Sequence, residues 1–361
     1  MKKIAVVFGG DSLEHDISII TGLFVLEEFE KNNVDFLPLY LSHENVFYTG
    51  KALLNKDNYE KKKGFIKGEF IYNNGYYQFK FKHRKVDIEC AVLCVHGKGM
   101  EDGKLKALFD FMHIPSTSSS VLSSALIQDK YFSKIIMKNA MLPVVDAFKL
   151  RKGEEVQIPD GFAFPLIVKP TNLGSSIGVK KVNDIQEFKA HLQLAFNYDE
   201  SVIVEKVIDN LKELNIAILG DSNNYQVSEI EMVNSRDNVL SFSDKYELFR
   251  SKYDGHVIPA RIPKSVEKDI SEIAQKAFKL FDAKGVVRFD FLLNSKTKEV
   301  YLNEINSIPG SLAFYLFKNM DMNFIDILNK MIDVAKLEYK ENRKLISKYE
   351  YSSLKSLTRK K

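Results

Sequence analysis

The stretch Phe164–Val182, FPLIVKPTNLGSSIGVKKV, puts Lys169 directly after the apolar run Leu166, Ile167 and Val168, then follows it with Gly174, Ser175, Ser176 and Gly178. The pattern reads as a short buried strand, a polar turn and a second strand. A lysine at the mouth of a strand beside a glycine-rich turn is one way a chain holds phosphate. The ammonium supplies a point charge, and glycine lets backbone N–H groups close on the oxygens. A plain hairpin with one surface lysine shows the same pattern, so the neighbouring segments must arbitrate.

Working outward, 361 residues exceed one ordinary core and predict two or three domains. The 52 basic and 48 acidic residues leave a net charge of +4, far from the concentrated positive field of a nucleic-acid binder. Part of the basic excess lies in the tail RKLISKYEYSSLKSLTRKK, read as a solvated helix end that frays. Cys90 and Cys94, in VDIECAVLCVHG, project to one strand face but lie too far apart to bridge, which predicts reduced core residues and a cytoplasmic protein. No charged-then-apolar leader opens the chain and no apolar segment reaches about 18 residues, so neither a secretion signal nor a membrane span is expected.

The opening KKIAVVFGGDSLEHDISIITGLFVLEEFEKN predicts a buried strand from Ile4 to Phe8, a Gly9-Gly10 turn and an amphipathic helix capped near Ser18 or Asp16. VDFLPLYLS, a hairpin around YNNGYY, and VDIECAVLCVHG follow. This alternation predicts a parallel sheet with helices on its faces and a ligand crevice at the carboxyl ends of its strands. Gly9, Gly10 and the segment from Val95 to Gly103 would share one rim. SSVLSSALIQDKYFSKIIMKNAML reads as one helix ending before Pro143. An α+β unit runs from FPLIVKP to SVIVEKVID, and a third unit ends with a helix from Ser265 to Phe281 and the strands GVVRFDFLLN and EVYLNEINSIPG. The expected units are residues 1–110, 111–205 and 206–340, with a tail at 341–361.

Residues two apart on a strand point the same way, so Arg288 and Asp290 share one face, and Glu304 and Asn306 another. If the two strands are neighbours, two carboxylates, an amide oxygen and a guanidinium converge. Oxygen ligands of this kind suit Mg²⁺, which takes a few carboxylates and completes its octahedron with water and phosphate. A surface salt-bridge ladder would show the same alternation, but it leaves the acidity of that face and the NSIPG that follows it without explanation. With Lys169 and the Gly-Ser loop, these residues describe a nucleotide held between two α+β layers, the loop acting as a lid over the ATP phosphates.

FGGDSLEHDIS, VHGKGMEDGKLKALFDFMHIPSTSSSVLSSALIQDK, FPLIVKPTNLGSSIGVKKV, VVRFDF and YLNEINSIPG, in that order, resemble the D-alanine-D-alanine ligase family of the ATP-grasp superfamily. The resemblance covers the chain from about Lys3 to Ala335. It implies an α/β and α+β chain: an ATP-grasp fold preceded by a doubly wound parallel-sheet N-terminal domain. It also implies ATP-driven joining of two D-alanines for peptidoglycan precursors through an acyl phosphate, with ATP and two Mg²⁺ ions, for which Mn²⁺ can stand in, and a homodimer that binds neither nucleic acid nor membrane.

By the same resemblance, Glu14 would hold the first substrate's ammonium, with Ser18 closing its loop. Lys130 and Lys169 would contact phosphates, Ser176 would join them in binding the nucleotide, and Ser175 would position substrate and lid. Glu205 would stand at the adenine hinge, with Glu213 at the ribose. Asp290, Glu304 and Asn306 would hold the metal ions, Arg288 would stabilise the transition-state charge, and Gly310 would offer its backbone N–H. His96 would lie near the substrate, although a lone histidine at a strand end is more often structural.

Two places depart from the family pattern. The Lys-Tyr pair expected on the closing loop corresponds to Lys245-Tyr246 or Lys252-Tyr253, while an ungapped count from Pro259 reaches Leu248-Phe249; FSDKY favours Tyr246. Where the family carries a serine-leucine pair for the second substrate's carboxylate, this chain has Tyr315-Leu316. A tyrosine hydroxyl still donates a hydrogen bond but fills more of the pocket. A ligase with another acceptor, such as D-serine or D-lactate, is therefore the first alternative, and a non-catalytic nucleotide-binding regulator the second.

Overall fold

The apolar run of β1 (Lys3–Gly9) is buried from Ile4 onward, as a strand covered on both faces requires. In the computed structural model, which describes residues 2–233 and 256–346, β1 pairs in parallel with β2 (Phe36–Leu41) and β7 (Ile88–Leu93), and β7 with β8 (Ser116–Thr117). Beyond β2 the sheet changes character. It continues antiparallel through β3 (Phe47–Thr49), β4 (Ile66–Asn73), β5 (Tyr76–Phe81) and β6 (Arg84–Val86). The doubly wound expectation thus holds for the parallel half, and the hairpin at Asn74-Gly75 extends it.

Helix α1 (His15–Lys31) begins three residues before Ser18, with Glu14 at the capping position and no side-chain cap. The expected cap at Ser18 or Asp16 is therefore corrected. Gly9 and Gly10, at φ 89° and 100°, turn the chain at the end of β1, and in the short turn that leads to the helix the Glu14 N–H donates to the Ser12 hydroxyl at 3.2 Å. Ser18 is instead buried inside the helix. Its hydroxyl accepts from the Gly9 N–H at 2.7 Å and donates to the Cys94 carbonyl at 2.8 Å, tying β1 to the end of β7.

After α2 (Lys104–Phe111), the single helix expected before Pro143 is two, α3 (Val121–Gln128) and α4 (Lys130–Asn139). Asp129 between them is extended, and its carboxylate accepts from the Tyr131 and Phe132 N–H groups at 2.9 and 3.0 Å. An aspartate able to cap a new helix outcompetes continuation of the old one.

The second sheet is antiparallel in the order β11 (Lys180–Val182), β10 (Leu166–Pro170), β12 (Ser201–Lys206), β9 (Ala147–Arg151). Helix α5 (Ile185–Ala195), capped by Asp184, closes a core of its own around Val168, Phe188 and Leu192. The third sheet runs β16 (His256–Val257), β15 (Glu231–Val233), β13 (Leu211–Gly220), β17 (Gly285–Asn294), β18 (Val300–Asn306), with β14 (Tyr225–Val227) on β13. Helix α6 (Lys264–Leu280) covers one face. On the other, α7 (Phe324–Asn342) packs against β13 and β17 and also against β7 and β8 of the first sheet. One hydrophobic cluster therefore runs from Val6 and Phe8 to Leu219, Val286 and Leu328. Glu338 of α7 lies 2.8 Å from Lys284 and 3.2 Å from Lys106 in a largely buried ion cluster.

Candidate active site

Strand register builds the centre of the site. Asn215 faces Glu231 on one side and Asp290 on the other, and Asp290 faces Glu304. Directly opposed residues share a sheet face, so Glu231, Asn215, Asp290 and Glu304 form a polar row across four strands. Arg288 and Asn306 form the next row. The register slips at Asp290/Phe291, leaving Asn303 as an extra residue on β18. A bulge re-aims a side chain, and Asn303 joins Glu304 in lining the cleft.

Arg288 grips Asp290 with two hydrogen bonds, Nε to Oδ1 at 2.6 Å and Nη2 to Oδ2 at 2.8 Å. Burial opposes its charge, yet Asp290, with Tyr315 and Glu231, outweighs burial and holds the guanidinium well above its usual pKa. The Asn306 amide also donates to Asp290 Oδ2, at 3.1 Å.

Across a cleft of about 460 Å³ stand the cations of the second sheet and α4. Lys169 Nζ is 2.8 Å from Glu205 Oε2 and donates to Asn303 Oδ1 at 3.2 Å. The break at Asp129 makes Lys130 the first residue of α4, and its Nζ reaches the Leu173 carbonyl at 2.5 Å and Glu304 Oε2 at 3.5 Å. Glu205 is 3% exposed and is flanked on its other oxygen by the buried Lys134. Burial would raise the Glu205 pKa, but Lys134 and then Lys169 hold it below the usual carboxylate value. Glu213 and Ser176 line the same cleft.

Glu14 stands at the mouth of the first sheet, where the Ser175 hydroxyl donates to its Oε1. A Cβ on Gly97 would come within 3.0 Å of this carboxylate and one on Gly174 within 3.1 Å, so both loops approach it closely only as glycine. Ser12 donates to the His96 carbonyl at 2.7 Å, which joins the rim expected of Gly9, Gly10 and Val95 to Gly103. Glu101 completes the acidic floor: burial and then Glu14 push its carboxyl up to about 8. The His96 ring pairs with the Thr21 hydroxyl at 2.9 Å, and burial lowers its pKa to about 4, so it is neutral.

On the remaining wall the Tyr315 hydroxyl donates to Glu231 Oε2 at 3.2 Å, beside the Asn215 amide at 2.9 Å. Burial, followed by Glu231, pushes the tyrosine pKa up. Leu316 is fully buried. A Cβ on Gly310 would meet nothing within 4 Å, so open space lies over that residue. The chain then passes through left-handed Ser311, Leu312 and Ala313, at φ 50°, 52° and 48°, a conformation L-residues adopt at a cost. Lys245, Tyr246, Leu248, Phe249, Lys252 and Tyr253 lie outside the described residues.

Asp290, Glu304 and Asn306 offer oxygen donors only, facing a cleft whose opposite side is cationic, and this fits a hard cation shared with phosphate. Among the described residues no group of three or more His, Cys, Asp or Glu could hold a metal ion. The structure thus brings Glu14, Ser175, Lys130, Lys169, Ser176, Glu205, Glu213, Arg288, Asp290, Glu304 and Asn306 around connected walls of one site. Sequence reasoning missed Lys134, Asn303, Glu231 and Glu101. The four-residue spacing from Lys130 to Lys134 on one helix face was the available signal for the first.

The chain is similar to known proteins over most of its length. The family models D-ala D-ala ligase N-terminus and D-ala D-ala ligase C-terminus match residues 3–119 and 136–333. A D-alanine--D-alanine ligase of Thermosipho africanus is 35% identical over 96% of both chains. Among solved structures, the VanG D-Ala:D-Ser ligase of Enterococcus faecalis superposes with a TM-score of 0.79 at 28% identity, covering 92% of this chain and 99% of its own. The D-alanine--D-alanine ligase of Bacillus anthracis complexed with ATP does so with a TM-score of 0.69 at 24% identity, covering 95% and 100%. The chain has the ATP-grasp fold and belongs to the D-alanine-D-alanine ligase family of enzymes.

Proposed function

We propose that the chain joins two D-alanine molecules into D-alanyl-D-alanine, driven by ATP hydrolysis to ADP, as a cytoplasmic step in making peptidoglycan precursors, and that it works as a homodimer. The observation that carries this reading is one cleft with Lys130 and Lys169 on one wall and Asp290 and Glu304 on the other, Asp290 being gripped by Arg288. That arrangement neutralises a transferring phosphoryl group and leaves no role for a protein nucleophile.

Glu14 receives the ammonium of the first D-alanine, with the Ser175 hydroxyl fixing the carboxylate that does so. The substrate carboxylate attacks the γ-phosphate in line, ADP leaves, and an acyl phosphate forms while the two lysines hold the oxygens. Mg²⁺ held by Asp290, Glu304 and Asn306 would supply further charge neutralisation at the phosphates. The amine of the second D-alanine then attacks the acyl carbon, with Arg288 and the Gly310 N–H facing the oxyanion, and phosphate departs. Closure of the Gly-Ser loop excludes water, which would otherwise hydrolyse the acyl phosphate.

Tyr315 favours a second reading, a different acceptor. Its ring fills space beside Arg288 and its hydroxyl is engaged by Glu231, and D-serine is the acceptor named for the VanG neighbour. The test is incubation with ATP, Mg²⁺ and D-alanine, alone and with D-serine or D-lactate, reading phosphate release and product mass together. D-alanyl-D-alanine as the main product supports the first reading. A mixed product, or turnover only with the added acceptor, supports the second, and no turnover with any acceptor refutes both.

A further inference from the structure

Behind the cleft lies a buried lysine with no role in the mechanism above. Lys134 sits one helical turn after Lys130 on α4, and its side chain is only 4% exposed. Its Nζ lies 3.0 Å from Glu205 Oε1, while Lys169 holds Oε2 at 2.8 Å. The Lys134 contact has ion-pair distance but a poor hydrogen-bond angle, so Oε1 keeps its capacity to accept an N–H while remaining buried. Two lysines around one carboxylate load this buried group toward excess positive charge, and burial lowers the Lys134 pKa against the opposing pull of Glu205. Lys169 alone would have balanced Glu205.

We propose that Lys134 is a positioning residue that holds Glu205 as an oriented, acceptor-only carboxylate, so that the base end of the cleft selects a 6-aminopurine over a 6-oxopurine nucleotide. The inference rests on reading the cleft as the nucleotide site. An ionised carboxylate accepts hydrogen bonds and donates none. An exocyclic amine presents donors to it, whereas a ring carbonyl at the same position turns a lone pair toward a negative oxygen. Sites built from a fixed buried polar group discriminate far more strongly than apolar pockets of the same shape, because the wrong partner leaves that group unpaired. Lys134 lies behind the carboxylate and is absent from the cleft lining, so it acts through Glu205 and not on the base.

The test is nucleotide affinity in the absence of D-alanine, measured calorimetrically for ATP and for inosine triphosphate, which differs in carrying oxygen for the amino group. Wild-type protein should prefer ATP by about tenfold to a hundredfold, the range for a hydrogen bond to a charged group. In Lys134→Met, which leaves the neutral Lys169–Glu205 pair, that preference should fall to within about threefold, mainly through loss of ATP affinity. An equal loss for both nucleotides would mark Lys134 as merely structural and overturn the proposal, as would an unchanged preference. Should Lys134→Met fail to fold, Glu205→Gln applies the same test. Its amide both donates and accepts and should erase the preference, and retention of the preference overturns the proposal. Wild-type protein that binds neither nucleotide would refute the underlying reading of the cleft, a result distinct from ATP binding with an unaltered preference in the variant.

Discussion

The hydrogen bond from Ser175 to Glu14 joins the Gly-Ser loop of the second sheet to the capping position of the first helix, and it can be tested as a pair. Glu14 is 6% exposed, so its carboxylate is largely desolvated. A hydrogen bond to a charged group under such conditions is worth about 1.5–3 kcal/mol, roughly tenfold to a hundredfold in kcat/KM. Ser175→Ala should therefore lower kcat/KM for D-alanine by that factor at saturating ATP. Glu14→Gln should lower it further, since it also removes the charge facing the ammonium. The informative variant is the double one. If the two side chains act through their mutual bond, the Ser175→Ala loss should largely vanish in the Glu14→Gln background, a coupling of at least about 1 kcal/mol. The assay is the initial rate of ADP release against D-alanine concentration for all four proteins. Additive losses, agreeing within about 0.5 kcal/mol, would refute the claim that the loop and the first-substrate acid work as one unit.

Arg288→Ala should reduce kcat about a hundredfold to a thousandfold while ATP binding survives; a loss under tenfold in single-turnover product formation would remove the arginine from the chemical step. Tyr315→Ser should raise kcat/KM for acceptors bulkier than D-alanine by about tenfold relative to D-alanine itself, read by product mass from competing acceptors. His96 is buried neutral with its pKa lowered to about 4. The unfolded chain binds a proton there first, so stability falls as pH drops from about 6.5 toward 4. In His96→Asn the denaturation free energy should lose about 3 kcal/mol less over that window. Glu338→Ala would leave Lys106 with Asp110 alone and Lys284 with Asp282 alone and should cost about 1–3 kcal/mol in urea unfolding.

Much of the site was legible because β-strand chemistry is periodic. The two-residue spacing of Arg288 with Asp290 and of Glu304 with Asn306 foretold shared faces, and the register supplied the missing condition that the two strands are neighbours. What escaped the sequence depended on breaks in period or on distant pairing. Asn303 lies on the wrong face by alternation and reaches the cleft through a bulge. Asp129 sits inside an unbroken helical pattern and still starts a new helix, because its capping bonds are local alternatives that a periodic reading does not weigh. Glu231 and Tyr315 are far apart in sequence, and their pairing follows from the path of the segment after Gly310 beside β15, which residue spacing does not encode. Ser18 shows the reverse case. A residue expected to cap a helix lies inside it, its hydroxyl accepting from Gly9 and donating to Cys94.

One hydrophobic cluster reaches from the first sheet onto one face of the third, another fills the third sheet's opposite face beneath α6, and the second sheet keeps a cluster of its own, so the first and third sheets share packing in which the second has no part. Amides of β1 and β13 should exchange with solvent only through global opening, whereas those of β10 and β12 can exchange through a cheaper event confined to their own sheet. The sheet that carries Lys169 and Glu205 can thus loosen, tilt or accumulate substitutions without unravelling the platform that holds Arg288 and Asp290. The two walls of the cleft are therefore separable in stability, though they face one another across a single space.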